Sequence, residues 1–445
     1  MKRLIGSLRI LGSLMMVVGL AGLVATRAQQ PSSASAIPIS LLHRLSLADA
    51  QRLAFERNWD LLAAAAGVDA ATAQKVIVHE FPNPTLSLSS SKINVDNHPN
   101  STVDGNGLWD RSYDTVFAIN QLVEIGGKRR SRKVSAQAGF EGAKAQLFDA
   151  RRTLDLAVAK AYVAAALADE NVRVLRQSAG TLREEAKIAE VRLRAGEISS
   201  SDKSQIEITA EQFDLNAQSA SSAAAQARVA LEVLLGVPRP NADCQLTDPL
   251  KAVCASAAPD NTNSAGTWRP DVVAAEAALR KAEADLRLQK ANRIPDPTLL
   301  AQYEHEPPDA PNTVGLGVSF PLPFWNRNRG NILAAEAARE QARLAFEKAK
   351  AEAVADIAVA RLAYEEAAKR WRGYRESIRP KSEQIRQTMA YAYQKGGASL
   401  LDLLLAERND NDVRLAAAQA AGDTACAGAA FKAATQEIQP SQLKQ

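Results

Sequence analysis

Residues 313–322, Thr-Val-Gly-Leu-Gly-Val-Ser-Phe-Pro-Leu, alternate large apolar side chains with small or polar ones over ten positions. This period of two predicts a β-strand with one apolar face. The length and the alternation are also those of a strand that crosses a lipid bilayer, in which the apolar side chains face lipid. We therefore expect four side chains of this segment to face lipid: Val314, Leu316, Val318 and Phe320.

Three other segments carry weaker forms of this pattern and complete two predicted β-hairpins. The first hairpin, about residues 84–124, joins a strand near 84–93 to one near 114–124. The second hairpin, about 297–322, joins a strand near 297–305 to the segment quoted above. Aromatic side chains favour membrane interfaces, and several of them flank the predicted strand ends: Trp109, Tyr113, Phe324 and Trp325.

The four predicted strands are too few to close a barrel within one chain. About eight strands are the practical minimum, and an open edge in lipid leaves backbone groups without hydrogen-bond partners. If the strands cross a membrane, several chains must share one barrel. Two chains would supply eight strands and three would supply twelve, and the strand count does not choose between them. The alternative is a pair of soluble hairpins that cap a helical bundle.

The segment at the start of each hairpin is repeated along the chain. Phe81-Pro82-Asn83-Pro84-Thr85-Leu86 recurs as Ile294-Pro295-Asp296-Pro297-Thr298-Leu299, and the turn at Gly196 recurs 200 positions later at Gly396. Such self-similarity predicts two copies of one structural plan. We expect a first repeat at 29–236, a linker at 237–268, a second repeat at 269–437 and a tail at 438–445.

Long helices are expected to fill the rest of each repeat. Alanine accounts for 85 of the 445 residues, and because it forms helices well but fills a core poorly, thin and closely packed helices are expected. The helix predicted at 128–194 would be roughly 100 Å long. Pro380 should kink or break the counterpart helix at 329–394, and the charged residues among the alanines are interpreted as solvated faces. The predicted helices lie at about 46–79, 128–194, 201–235, 270–293, 329–394 and 400–435.

Residues 1–28 have the features of a secretory signal. Lys2, Arg3 and Arg9 provide a positive start, residues 10–25 are apolar, and small residues at 26 and 28 fit a cleavage site. The alternative is an uncleaved membrane anchor. With Arg27, this segment carries four positive charges and no acidic residue, which equals the formal net charge of +4 of the whole chain. The basic isoelectric point therefore gives no support to nucleic-acid binding.

No arrangement of residues predicts catalysis, a cofactor or a metal site. The four histidines are scattered, and there is no Cys-x-x-Cys motif. In the compact group Glu304-His305-Glu306, a strand would place His305 on the opposite side from both glutamates. Cys244 and Cys254 are ten positions apart, and in an oxidising compartment they could form a disulfide or remain two unpaired thiols.

In its motifs and in their order, the chain resembles the TolC family of outer membrane efflux proteins over essentially the whole mature sequence. The resemblance rests on the two Pro-x-Pro-Thr-Leu strand starts, on the strand-to-helix corner with Gly126 and Gly127, and on the turns at 192–199 and 396–404. The Gly-Gly-Lys-Arg corner and Phe320-Pro321-Leu322-Pro323 are most similar to the branch that serves heavy-metal pumps of the cobalt–zinc–cadmium type.

The resemblance implies a mainly α-helical fold with a small transmembrane β part. Long antiparallel helical hairpins would form a periplasmic tunnel, and a homotrimer would share a twelve-stranded barrel in the outer membrane of a Gram-negative bacterium. The partners implied are outer membrane lipid, a periplasmic adaptor and an inner membrane pump. The chain would be a passive exit duct without enzymatic activity, for substrates such as divalent heavy-metal cations. A soluble periplasmic coiled-coil adaptor or scaffold is the alternative function.

The resemblance also implies where the tunnel closes. In the family, helix-turn-helix tips far from the barrel form the closed end, and acidic residues just after these turns line the constriction. The matching turns contain Gly196, Gly396 and Gly397, and the matching acids are Asp202 and Asp402. Such a ring of acidic side chains from three chains would attract cations. The simpler alternative is that both aspartates only stabilise the starts of their helices.

Overall fold

The computed structural model describes residues 44–92, 114–256, 266–306, 310–439 and 442. The predicted signal at 1–28 and the loop of the first hairpin, with Trp109 and Tyr113, lie outside these residues. Across the described part of the chain, every helix is too short or too polar to cross a membrane.

The first half of the chain follows the expected order of helix, hairpin, long helix and returning helix. The elements are α1 (Leu47–Arg57), α2 (Trp59–Ile77), β1 (Thr85–Ser91), β2 (Asp114–Leu122), α3 (Lys128–Arg194) and α4 (Ser200–Leu234). Helix α3 has 67 residues and begins and ends where the sequence predicts. A short helix, α5 (Leu250–Ser256), follows in the segment that joins the two halves.

The second half has the same order of elements. It contains α6 (Pro270–Ala291), β3 (Thr298–Glu306), β4 (Ala310–Ser319), α7 (Arg329–Gly373), a π-helical turn (Tyr374–Ile378), α8 (Arg379–Gln394) and α9 (Leu400–Thr435). Strand β4 starts before the predicted boundary and ends one residue before Phe320. Phe320 therefore lies just outside the strand in which it was predicted.

The helix predicted at 46–79 is two helices, and Asn58 separates them. Ser46 caps α1 as its sequence position predicts, because its side chain accepts a hydrogen bond from the N–H of Asp49. At the break, the Asn58 side-chain oxygen accepts from the N–H groups of Asp60 and Leu61 and thereby caps α2. The Asn58 side-chain nitrogen donates to the carbonyl of Leu234, at 3.1 Å. A contact with a distant helix end thus fixes the break.

The helix predicted at 329–394 is divided by a π-helical turn next to Pro380. A proline ring clashes with the carbonyl four residues earlier and offers no N–H to it. The wider π-helical turn relieves this clash, and the N–H of Arg379 donates instead to the carbonyl of Tyr374. The expected distortion at Pro380 therefore takes the form of a local widening between α7 and α8.

All four strands lie in one antiparallel sheet, in the order β1-β2-β3-β4. The β3–β4 pairing is regular from Thr298↔Ser319 to Glu304↔Thr313 and shifts register between Glu304 and Glu306. Strands of the two halves therefore meet at β2 and β3. Strands β1 and β4 are left as the two edges of the sheet.

Helix α3 is the central element of the helical part and packs against α2, α4, α6 and α9. Small residues allow these close approaches, as the alanine content predicts. Seven of the buried residues of α9 are alanines: Ala406, Ala418, Ala420, Ala421, Ala425, Ala433 and Ala434. At Gly422, an added Cβ would meet Leu167 of α3 at 3.2 Å. The helices therefore contact each other through backbone and small side chains.

The interpretation of the charged residues as solvated faces is wrong at several positions. Glu232, Glu407 and Asp410 are each no more than 3% exposed. Glu232 shows the reason, because its carboxylate accepts from the N–H groups of Asn241, Ala242 and Cys244, at 2.7, 3.0 and 3.2 Å. These charge-assisted hydrogen bonds compensate for burial and hold the chain after α4 in place.

The disulfide considered between Cys244 and Cys254 is absent, and both cysteines are free and buried. Cys244 lies in the segment bound by Glu232, whereas Cys254 lies on α5. Burial raises the pKa of the Cys244 thiol to about 12, with a further contribution from the Glu232 carboxylate. Burial also raises the pKa of Cys254 to about 11. Both side chains therefore act as small apolar groups of the interior.

Candidate functional site

One face of the sheet is apolar, and most of its side chains are exposed. The pairing aligns Leu86, Ile119, Ala301 and Leu316 in one row and Leu88, Phe117, Tyr303 and Val314 in the next. Leu316 is 86% exposed and Val314 is 79% exposed. Val318, at the end of β4, and Phe320 beyond it are also exposed. The four residues predicted to face lipid thus contribute to one continuous exposed surface, which we call the apolar face.

The opposite face of the sheet carries mostly small or polar side chains, with Val116 and Leu300 as larger apolar ones. Its central row is Ser87, Ala118, Gln302 and Gly315, and the neighbouring row is Ser89, Val116, Glu304 and Thr313. Gly315 makes room for its neighbour, because an added Cβ would meet the Gln302 Cγ at 2.9 Å. The two faces therefore differ in the way that lipid and an aqueous lumen require.

The predicted corner at Gly126 and Gly127 connects the sheet to α3. Both glycines have left-handed backbone, with φ of 74° and 77°, which other residues adopt only with strain. Next to them, the buried Lys128 ammonium contacts the Asp296 carboxylate at 2.7 Å and donates to the Ile294 carbonyl at 2.6 Å. The other Asp296 oxygen accepts from the N–H of Ile125 at 2.9 Å. The strand start of the second half therefore anchors the corner of the first.

The corresponding corner of the second half has an asparagine in place of a glycine. Asn328 precedes α7 with a left-handed φ of 58°. Its side-chain nitrogen donates to the Gln289 carbonyl at 2.8 Å. Asparagine tolerates this backbone better than most residues. Both corners thus reach the same conformation with different residues, which sequence identity alone does not reveal.

The two turns 200 positions apart are built alike. Gly196 and Gly396 have φ of 76° and 75°, and each is followed by a helix with a capping box. Asp402 accepts from the N–H and hydroxyl of Ser399 at 3.1 and 2.7 Å, and Asp202 accepts from the N–H of Ser199 at 3.3 Å. The remaining turn residue, Gly397, donates its N–H to the Ala392 carbonyl at 2.8 Å.

Both aspartates of these turns thus stabilise helix starts, as the simpler alternative predicts. Their exposure differs, since Asp402 is exposed and Asp202 is partly buried. Hydrogen bonds from Ser399 lower the pKa of Asp402, so its carboxylate stays ionised below the usual pH range of aspartate. An ionised and exposed carboxylate at this turn remains available to cations.

Contacts between α3 and α8 connect the two turns. Arg192, near the end of α3, donates to the Tyr393 carbonyl at 3.2 Å and lies over the Tyr393 ring at 5.1 Å. Gln394 donates to Glu185 of α3 at 3.4 Å. Burial raises the pKa of Glu185 and of Tyr393. The ends of the two helical hairpins are therefore attached to each other within one chain.

A buried charge network between α8 and α9 lies close to these contacts. It was not among the features predicted from the sequence. Arg386 contacts Glu407 at 3.3 Å and Asp410 at 3.4 Å, and Arg414 contacts Asp410 at 2.8 Å. Burial raises the pKa of Glu407, although Arg386 acts in the opposite direction. Residues 407–414 are nearly all polar or charged, and such a run does not indicate which of its side chains a neighbouring helix covers.

Three carboxylates meet at the far end of the sheet, where no metal site was predicted. Carboxylate oxygens of Asp114, Glu304 and Glu306 lie within 4.8 Å of one another. The Lys92 ammonium contacts Asp114 at 2.9 Å and also contacts Glu306, so a side-chain cation already balances part of this charge. His305 is not one of the group; its Nδ1 lies 3.3 Å from the side-chain oxygen of Asn312.

Comparison with known proteins gives one family and a consistent set of relatives. The family model described as "Outer membrane efflux protein" matches residues 51–237 and 263–435. The cobalt-zinc-cadmium resistance protein CzcC of Cupriavidus metallidurans is 25% identical over 385 residues, which cover 86% of this chain and 88% of CzcC.

Solved structures share the fold. A membrane protein from Pseudomonas aeruginosa superposes with a TM-score of 0.72 at 20% identity, over 88% of this chain and 90% of the other. The outer membrane protein VceC of Vibrio cholerae gives a TM-score of 0.70 at 20% identity, over 88% and 96%.

Proposed function

The chain belongs to the outer membrane efflux protein family, and we propose that three copies of it form the exit duct of a tripartite efflux system for divalent heavy-metal cations. The duct is passive; a periplasmic adaptor joins it to an inner membrane pump that supplies the energy. The family match over most of the chain favours this function over a soluble adaptor or scaffold.

The single observation that carries the assembly is the two-faced sheet with two free edges. β1 and β4 are the edges of a four-stranded sheet, and in lipid each edge needs a partner strand. Pairing β4 of one copy with β1 of the next is a head-to-tail contact that closes into a ring. Three copies give twelve strands, with the apolar face outward and the polar face toward the lumen. Reconstitution of the purified chain into a planar bilayer tests this assembly, and a monomeric product that needs no detergent would contradict it.

The proposed substrate class is supported by the similarity to CzcC, whose name refers to cobalt, zinc and cadmium resistance. We expect a strain that lacks this chain to become more sensitive to Co²⁺, Zn²⁺ and Cd²⁺ than to organic antibiotics. The measurement is the minimal inhibitory concentration across a panel of both kinds of compound, with the gene restored on a plasmid as the control. Sensitisation to antibiotics alone would overturn the metal assignment and leave the channel assignment intact.

We further propose that Asp402, with Asp202, forms the cation-attracting constriction of the closed end. We expect Asp402→Asn to raise the half-blocking concentration of a divalent cation in single-channel recordings at least about tenfold. Each unit charge contributes about 1 kcal/mol at about 4 Å in water, and a trimer loses three of them. Because asparagine retains an oxygen that can accept from Ser399, the helix cap should persist.

The comparison for this experiment is Asp202→Asn, which removes the partly buried charge of the other turn in the proposed constriction. We expect a smaller change in block, because Asp402 is the more exposed of the two. The hydrogen bonds from Ser399 lower the pKa of Asp402, so block of the unmodified channel should persist until the pH falls below the usual range of aspartate. An unchanged block curve in Asp402→Asn would place Asp402 outside the constriction.

A further inference from the structure

A cavity of about 610 Å³ lies among α3, α5, α9 and the π-helical turn that joins α7 to α8. Its volume is in the range of small-molecule binding sites. Because α3 belongs to the first half of the chain and α7 to α9 belong to the second, a molecule in the cavity would contact both halves. The cavity is separate from the sheet and from the turns discussed above.

The charge of the cavity lining is strongly unbalanced. Five of its side chains are cationic and only Glu170 is acidic. The five cationic residues are Arg173, Lys251, Arg375, Arg379 and Arg414. Arg173 is paired with Glu170, Arg375 is paired with Glu376, and Arg414 contacts Asp410 at 2.8 Å. Within the described residues, the side chains of Lys251 and Arg379 make no hydrogen bond and no ion pair, so their charges are available to a ligand.

The charges that act on Glu170 agree with this convergence. Its pKa is lowered, first by the hydrogen bond from Arg173 and then by the charges of Arg173, Lys251 and Arg379, against the effect of burial. Lys251 comes from α5 and Arg379 from the start of α8. Cationic side chains from three elements therefore act on one small volume.

The π-helical turn contributes to the shape of this wall. Trp371, Arg375 and Arg379 follow each other at intervals of four residues and all line the cavity. In an α-helix with 3.6 residues per turn, each side chain four residues further along is rotated around the helix axis relative to the one before it. The wider turn at 374–378 offsets this drift, and the Arg375 guanidinium lies 4.8 Å from the Trp371 ring. π-Helical turns of this kind occur frequently at functional sites.

The rest of the lining is apolar. Val174 of α3, Leu250 of α5, and Ala418 and Ala421 of α9 are buried and contribute to the wall. The indole of Trp371 adds an aromatic surface. Convergent cations on an apolar wall suit a molecule with both anionic groups and a hydrophobic body.

We propose that this cavity binds a small organic dianion, whose oxyanion groups are held by Arg375, Arg379 and Lys251. The body of the ligand lies against Trp371 and Leu250. Guanidinium groups bind both carboxylate and phosphate oxygens in bidentate fashion, so the shared chemistry is that of a dicarboxylate or a phosphate monoester. The bound dianion joins α5 to the π-helical turn and to the start of α8, and thereby fixes the position of the turn.

Isothermal titration calorimetry on the detergent-solubilised full chain tests the site, with phthalate and phenyl phosphate as the probes. We expect at least one of them to bind saturably, one per chain, with an affinity that falls as NaCl is added. Benzoate, with a single carboxylate, should bind at least about tenfold more weakly. The probe that binds more tightly identifies the preferred oxyanion.

Arg379→Gln and Lys251→Gln should each weaken binding at least about tenfold. Lys251 is exposed, so its substitution leaves the fold intact. The matched control is Arg372→Gln, which changes an exposed arginine of the same helical segment that does not line the cavity. The proposal is overturned if neither dianion gives saturable heat, if both cavity variants bind normally, or if the control variant loses as much affinity as they do.

Discussion

Replacing Leu316 with arginine is expected to abolish assembly of the channel in the membrane. Leu316 lies in the middle of β4, in the row formed with Leu86, Ile119 and Ala301, and it is 86% exposed. An arginine on the lipid face near the bilayer midplane costs about 2–4 kcal/mol. A trimer would carry three such side chains, so the cost is about 6–12 kcal/mol per assembly. The measurement is the fraction of heat-modifiable trimer recovered from outer membranes.

The matched control for this substitution is Gln302→Arg. Gln302 lies on the neighbouring strand in the row next to Leu316, but on the polar face. Gln302 is already a long polar side chain that lies over Gly315. Gln302→Arg therefore introduces the same charge at a similar depth in the sheet, but on the polar face. We expect Gln302→Arg to assemble normally. Equal losses for both variants would mean that the apolar face is not in contact with lipid.

Replacing Lys128 with methionine is expected to destabilise the junction of sheet and helices by roughly 3–5 kcal/mol. The Lys128 side chain is 7% exposed and is bonded to the Asp296 carboxylate and the Ile294 carbonyl. Removing the ammonium leaves the carboxylate without its cation, although Ile125 still donates to it. Removal of one partner of a buried ion pair costs more than the pair itself contributes. The measurement is the shift of the urea midpoint followed by helical circular dichroism.

Lys133→Met provides the comparison for this experiment. Lys133 lies five residues further along α3, is only partly buried, and makes no ion pair within the described residues. Its substitution should change the free energy of unfolding by no more than about 0.5 kcal/mol. Asp296→Asn, which leaves the Lys128 ammonium buried without its carboxylate, should approach the loss seen in Lys128→Met. Similar midpoints for Lys128→Met and Lys133→Met would show that the junction does not depend on this pair.

The parts of the fold that could be predicted from the sequence are those with local physical signals. Helix α3 begins and ends at the predicted residues, because left-handed glycines at 127 and 196 bound it and few other residues adopt that backbone at low cost. The strand at 313–322 was recognised because a period of two depends only on neighbouring residues. The strand ends earlier than predicted because alternation continues beyond the last paired residue, Ser319, and it begins earlier because Ala310 pairs with Glu306 outside the alternating segment.

The candidate site residues were only partly predictable. The aspartates at 202 and 402 were found at their turns, but their capping of helices follows from serines three residues earlier. Their proposed role at a constriction depends on other copies of the chain. The cationic cavity was missed entirely, because its wall combines α3, α5 and the π-helical turn, which lie far apart in sequence.

Local sequence patterns are enough to locate the period-two strands, the duplicated order of elements and the long helices. Each of these depends on backbone preferences and on side chains within a few residues of one another. Three features come from contacts between distant segments: the burial of particular charges, the break between α1 and α2 at Asn58, and the bond between Asp296 of one half and Lys128 of the other. Burial and ion pairing depend on what a distant segment places against a residue, and no local pattern contains that information.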